Sequence, residues 1–264
     1  MEPTEGARSF LASGTAYDAY MGRYSRPLAV VFADATGVAA GESALDVGCG
    51  PGALTGVLID RLGVDRVCAF DPSAPFVAEC AARHPGVDVR LGRAEAIPFE
   101  DGRFDWAMAQ LVLHFVSDPT QAASELIRVL RPGGRAAACV WDYSEGMQML
   151  RAFWDAALAV DPDAPDEARA MRFGRQGEIA ELLEVAGFAG VAETALEVTA
   201  TYEHFDELWD GFLAGIGPAG AFCVSLTEGR RTAVHDELFR QLGSPTGAFT
   251  LKAVARYASG RASS

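Results

Sequence analysis

Short apolar runs alternate with amphipathic stretches through the first half of the chain. The run ending in Leu45-Asp46-Val47 leads into glycines, after which Leu54, Val57, Leu58 and Leu62 fall on one face of a helix. Val67–Phe70 is apolar and ends at Asp71, and Ser73 can cap a helix over Pro75–Arg83. Val87–Leu91 alternates as a strand, and Phe104–Ala109 forms another that ends near Gln110. Thr120–Leu130 has helical spacing, Arg131-Pro132-Gly133-Gly134 reads as a turn, and Arg135–Trp141 is strongly apolar. Strands and helices in alternation predict an α/β fold with a parallel sheet covered by helices on both faces.

The second half departs from that rhythm. Met147–Val160 is an amphipathic helix pattern, and Asp161–Asp166 holds two prolines and three aspartates, which predicts a loop. Residues 142–175 read as an insertion after the fifth strand, placed over the open edge of a site. Gln176–Ala186 predicts a helix stopped by Gly187. Ala195–Tyr202 alternates as a strand, Phe205–Leu213 and Arg230–Leu242 are helical, and Phe249–Tyr257 is the closing strand.

Charge and cysteine usage narrow the function classes. The formal net charge of −14 speaks against a polyanionic partner, because neutralising phosphates requires a basic stripe. Five scattered cysteines without a C-x-x-C pair, and no signal-peptide pattern, predict a reducing cytoplasm. No apolar run approaches the length of a membrane span, so no membrane partner is expected. His84, His114, His204 and His235 are far apart, and no metal site is expected.

The most informative stretch is residues 45–56, Leu-Asp-Val-Gly-Cys-Gly-Pro-Gly-Ala-Leu-Thr-Gly. Gly48, Gly50 and Gly52 recur at every second position between a strand and a helix N-terminus, where bare backbone can approach a ligand. A dinucleotide fingerprint is spaced G-x-G-x-x-G, whereas this one is G-x-G-x-G with Asp46 two residues ahead. An acid there suits a cationic ligand better than a pyrophosphate. The pattern resembles motif I of the class I S-adenosylmethionine-dependent methyltransferases.

That resemblance extends over Tyr17–Trp141 and implies a Rossmann-like, seven-stranded, mostly parallel sheet with a helical cap after strand five. It implies a single domain over residues 1–264, a helical lid over 1–40, and substrate-side elements at 142–175 and 203–245. It also implies S-adenosyl-L-methionine as cofactor and S-adenosyl-L-homocysteine as product. Asp46 would lie near the cofactor's ammonium end or order the loop of Gly48, Cys49, Gly50 and Gly52. Asp71, followed by Pro72 and Ser73, would accept the ribose hydroxyls; its alternative role is to initiate a helix. Arg93, Ala94 and Glu95 resemble the adenine-holding segment, with the Ala94 amide facing the ring. Relatives commonly carry an acceptor where Arg93 stands, so Glu95 is expected to supply it. Gln110 and Leu111 would meet the amino-acid part. His114 is a candidate general base, with pocket wall as the competing role.

Tyr17–Pro27 resembles the helix that closes over the cofactor in ubiquinone-biosynthesis-type methyltransferases. Tyr17 or Tyr20 would face the methyl donor or the substrate, and Arg23 would pair with the cofactor carboxylate. Phe153, Trp154, Trp209, Phe212 and Phe222 either line an apolar or aromatic acceptor pocket or form ordinary core. Gln110-Leu111-Val112-Leu113 stands where amide and nucleobase methyltransferases carry an Asn-Pro-Pro-Tyr-type tetrapeptide. A small-molecule acceptor with an oxygen, nitrogen or carbon nucleophile is therefore expected, and no nucleic acid. Two other classes remain open: a non-catalytic cofactor-binding or regulatory protein of the same fold, and a nicotinamide-dependent oxidoreductase.

Overall fold

The computed structural model describes residues 20–263. Tyr17 lies outside them, as does half of the expected lid. From the amino end, the elements are α1 (Gly22–Thr36), β1 (Ala44–Val47), α2 (Ala53–Leu62), β2 (Val67–Asp71), α3 (Ala74–Arg83), β3 (Asp88–Leu91) and β4 (Phe104–Gln110). Then come α4 (Pro119–Val129), β5 (Leu130–Trp141), α5 (Gln148–Val160), α6 (Glu178–Ala186) and β6 (Ala189–Tyr202). The chain closes with α7 (Phe205–Leu213), α8 (Gly217–Ser225), α9 (Glu228–Gln241) and β7 (Phe249–Arg261).

The seven strands lie in the order β3-β2-β1-β4-β5-β7-β6. All neighbours are parallel except β7, which runs antiparallel to both β5 and β6. Every residue of β1 and β2 is buried. Since successive side chains point to opposite faces, both faces of the sheet are covered there. β6 instead alternates buried and exposed positions towards Tyr202, as expected of an edge strand with one covered face. The strand order reverses between β1 and β4, and a crevice opens beyond their carboxyl ends.

Four local expectations need correction. β6 and β7 run longer than their alternation predicts, because 189–194 and 258–261 pair with each other and with β5 despite weak patterning; Gly190, at φ 61°, sits at a register irregularity there. The Arg131–Gly134 turn is a bulge inside β5: Leu130 pairs with Phe104, regular pairing resumes at Arg135, and Gly133 takes φ 77°. Ser73 precedes α3 but makes no side-chain cap; its amide instead donates to Asp71 Oδ1 at 2.8 Å. Helix α8 escapes the pattern because it contains Gly217, Pro218 and Gly220. Proline costs nothing in a first turn, and a Cβ on Gly220 would come within 2.8 Å of the Gly215 backbone, so a small residue is required.

The helices after β5 form a second layer of contacts. α9 packs on α5, and α8 packs on both α7 and α5. α1 lies against α2 and the edge strand β6. Among the described residues, no helix is long and apolar enough to cross a membrane.

Candidate functional site

A cleft lies at the carboxyl ends of β1, β2 and β4. Its floor is the turn between β1 and α2, where Gly48 and Gly50 adopt φ of 68° and 53°. A Cβ on Gly48 would sit 2.7 Å from the Val112 side chain, whereas a Cβ on Gly50 would meet no protein atom within 4 Å. Gly50 therefore opens the backbone to the cleft, while Gly48 allows the β4 loop to close on it. Cys49, between them, anchors the turn by donating its amide to Phe70 O at 3.0 Å.

Asp71 shapes the turn from the next strand. Its Oδ2 accepts the Gly50 amide at 2.9 Å and its Oδ1 accepts the Ser73 amide. Its two expected roles are thus compatible: each oxygen spends one lone pair on backbone and keeps another for a ligand. Burial pushes this carboxyl up to about 6. Asp46, 1% exposed, accepts from Thr55 Oγ1 at 2.6 Å and is pushed up to about 7 by burial. Both carboxylates line the cleft with Pro72 and Ser73.

Arg93, Ala94 and Glu95 also line the cleft. Glu95 Oε1 accepts the Ser117 amide at 3.0 Å and lies 3.4 Å from Arg93 Nη2, so it ties the loop ahead of α4 to this segment. At the end of β4, Gln110 Nε2 donates to Ser25 O at 2.8 Å, and its buried Oε1 has no partner among the described residues. Leu111 follows at φ 59°, a left-handed conformation that costs about 1–2 kcal/mol for a side chain with a Cβ. Its amide donates to Cys139 O at 2.8 Å, which holds it there.

These groups fit a ligand with positive charge and vicinal hydroxyls. Two buried carboxylates and the unpartnered Gln110 oxygen are acceptors, which suit an ammonium and a ribose and would repel a pyrophosphate. Such an acceptor set would fit the ammonium and the ribose hydroxyls of S-adenosylmethionine.

Three expected cofactor contacts are not at this cleft. Gly52, at φ 95°, starts α2 but does not line it; a Cβ there would lie 2.6 Å from the His84 ring, whose Nε2 is 2.9 Å from Gly52 O. The third glycine thus serves helix packing. Arg23 forms an ion pair with Glu207, donates to Thr201 O at 2.9 Å and lies over the Tyr202 ring, so it is spent on β6 and α7. Tyr20 lies in a second cavity.

That cavity abuts the first and shares Leu111 and Phe115 with it. Tyr20, His114, Trp141, Tyr143 and Glu167 also line it. His114 Nε2 is 3.1 Å from Tyr143 Oη, and its Nδ1 is buried without a partner among the described residues. Burial, aided by the charge of Arg172, pushes His114 down to about 3, so it is neutral near pH 7 and a poor proton acceptor. His114 stands on the wall of this cavity. Phe153, Trp154, Trp209, Phe212 and Phe222 line neither cavity; Phe153 stacks on Phe212 at 4.3 Å, the first four rings are buried core, and Phe222 packs half-buried against it. Ser25, Phe76 and Val112 on the first cavity, and Trp141, Tyr143 and Glu167 on the second, carry no spacing signal that would have revealed them.

Comparison with known proteins agrees with the geometry. Residues 45–138 match the family model described as a methyltransferase domain. The chain is 34% identical over 170 residues to the demethylmenaquinone methyltransferase of Beutenbergia cavernae, covering 60% of this chain and 70% of that one. It is 40% identical over 133 residues to a methyltransferase of Mycobacterium tuberculosis, covering 50% of this chain and 52% of the relative; the match therefore spans about half of that protein's length. Among solved structures, the cyclase SpnF superposes with a TM-score of 0.56 at 22% identity, covering 90% of this chain and 82% of that one, a likeness of fold alone.

Proposed function

The chain belongs to the class I S-adenosylmethionine-dependent methyltransferases, and on that premise we infer that it transfers a methyl group from S-adenosylmethionine to a small-molecule acceptor. The observation that carries this reading is the convergence of Asp46, Asp71 and the unpartnered Gln110 oxygen on one cleft beside the Gly48–Gly50 turn. Bound there, the cofactor would supply an electrophilic methyl carbon on a sulfonium.

The chain's own residues would then do four things. Asp71 accepts the ribose hydroxyls with the lone pairs that Gly50 and Ser73 leave free. Asp46 and Gln110 Oε1 take the ammonium, and the Ala94 amide faces the adenine, with Arg93 and Glu95 beside it. Leu111 and Phe115 stand between the two cavities, where they exclude water and align an acceptor. The second cavity is the acceptor side: Tyr20 and Met21 come from the lid segment, Leu150, Glu167 and Met171 from the insertion after β5, and Ile216–Ala219 from the stretch after β6.

The demethylmenaquinone methyltransferase relative, named for a quinone acceptor, supports an acceptor of ring-bearing type. Five free, buried cysteines are in keeping with a reducing cytoplasm. Incubation with methyl-labelled S-adenosylmethionine and a panel of ring-bearing acceptors should yield S-adenosylhomocysteine and labelled product in stoichiometric amounts. Cofactor binding with no transfer to any acceptor would favour a binding or regulatory protein, as the SpnF likeness cautions that this fold hosts more than one activity.

A further inference from the structure

The second cavity contains a polar set that its apolar walls do not satisfy. Trp141 Nε1 and Tyr20 Oη are buried with no hydrogen-bond partner among the described residues, and both residues line it. An indole N–H can only donate, so a ligand seated against Trp141 satisfies it by bringing a lone pair. A buried donor left unpaired costs about 1–3 kcal/mol. On the same cavity lies the carboxyl of Glu167, 5% exposed, with Oε1 accepting from Trp154 Nε1 at 3.1 Å. The nearby Arg151 is engaged with Asp166 and Asp155, both at 2.9 Å, and does not serve Glu167 as an ion-pair partner.

We propose that this cavity takes a neutral aromatic or enolic ring carrying at least two oxygens, one accepting from Trp141 Nε1 and Tyr20 Oη, the other a hydroxyl that donates to Glu167. The proposal rests on the methyltransferase reading and narrows it to acceptors with an oxygen nucleophile. The rings of Phe115, Trp141 and Tyr143 provide flat apolar contact for such a molecule. An ammonium acceptor would satisfy Glu167 and the ring faces, but it has no lone pair for Trp141 and leaves that donor buried and unpaired. Burial pushes Glu167 up to about 7, which suits a group that receives a hydroxyl proton near neutral pH.

The test is calorimetric titration of the full chain, with S-adenosylhomocysteine present, using hydroquinone and benzylamine as single-ring probes. Hydroquinone should bind at least about tenfold more tightly than benzylamine, the ratio expected from one unsatisfied buried donor. Trp141→Phe and Glu167→Leu should each weaken hydroquinone by about tenfold while S-adenosylhomocysteine affinity stays within about twofold, which also reports that the variants fold. Equal or tighter benzylamine binding, or no hydroquinone binding beside normal S-adenosylhomocysteine binding, would overturn the proposal and leave the cofactor reading standing. Failure of S-adenosylhomocysteine itself to bind would overturn both.

Discussion

The two cavities meet at Leu111 and Phe115 yet are built in opposite ways. The first is a product of sheet geometry. Its main parts, Asp46, Gly50, Asp71 and Gln110, stand at or just beyond the carboxyl ends of three adjacent parallel strands. Its hydrogen bonds run largely through backbone, as when Asp71 receives the Gly50 and Ser73 amides. The second is a product of side-chain packing. It gathers residues from the segment just ahead of α1, the β4 loop, β5, α5, the turn at Glu167 and the start of α8. A site fixed by strand ends leaves a mark at fixed spacing in sequence, whereas a site fixed by helix packing leaves none.

If this contrast is right, the largest effect comes from filling the bare backbone. Gly50→Val should lower S-adenosylhomocysteine affinity by at least about 100-fold, since a β-branched residue is strained at φ 53° and its side chain would enter the cleft; circular dichroism should show the fold retained. Asp71→Ala comes next. It removes an acceptor of two backbone amides and, on our reading, of the ribose, and an affinity loss of about 100-fold in calorimetry is expected. Full affinity in both variants would dissolve the distinction between the cavities.

A smaller effect is expected from pH. Asp46 and Asp71 have carboxyls raised to about 7 and about 6, so both are protonated at pH 5 and ionised at pH 8. The bound cofactor needs them ionised to accept from ammonium and hydroxyls. Affinity should therefore be highest above about pH 7 and fall as pH drops through 7 and then 6, by up to about tenfold per unit per group. Replacing His114 by Gln should not shift that profile, because burial holds His114 well below the usual histidine range and it lies on the other cavity.

The smallest effect sharpens the comparison at its edge. Arg23→Ala breaks a partly exposed ion pair with Glu207, and chemical denaturation should show a loss of at most about 1 kcal/mol. Its S-adenosylhomocysteine affinity should remain unchanged; a tenfold loss would return Arg23 to the cofactor site.

The same contrast governs what the sequence disclosed. Strands β1, β2 and β4 and their terminal Asp46, Asp71 and Gln110 were legible because an apolar run, a polar end and a glycine turn are local patterns. Gly52 misled because its spacing equals that of its neighbours, although its constraint is the His84 ring 32 positions along the chain. Arg23 misled for a related reason: its partner Glu207 is 184 positions away, and no local rule pairs them. Helix α8 lacks a helical pattern because it carries glycines, of which Gly220 serves a close approach to Gly215. Trp141 and Glu167 stood in apolar or loop-like stretches, and only packing gives them a shared cavity.

The most direct test of the central claim, that the strand-end cleft is a S-adenosylmethionine site, is calorimetry of the purified protein with S-adenosylhomocysteine and, in parallel, NADH. The account predicts saturable one-to-one binding of S-adenosylhomocysteine and none of NADH. Binding of NADH alone would contradict it and assign the cleft to a dinucleotide.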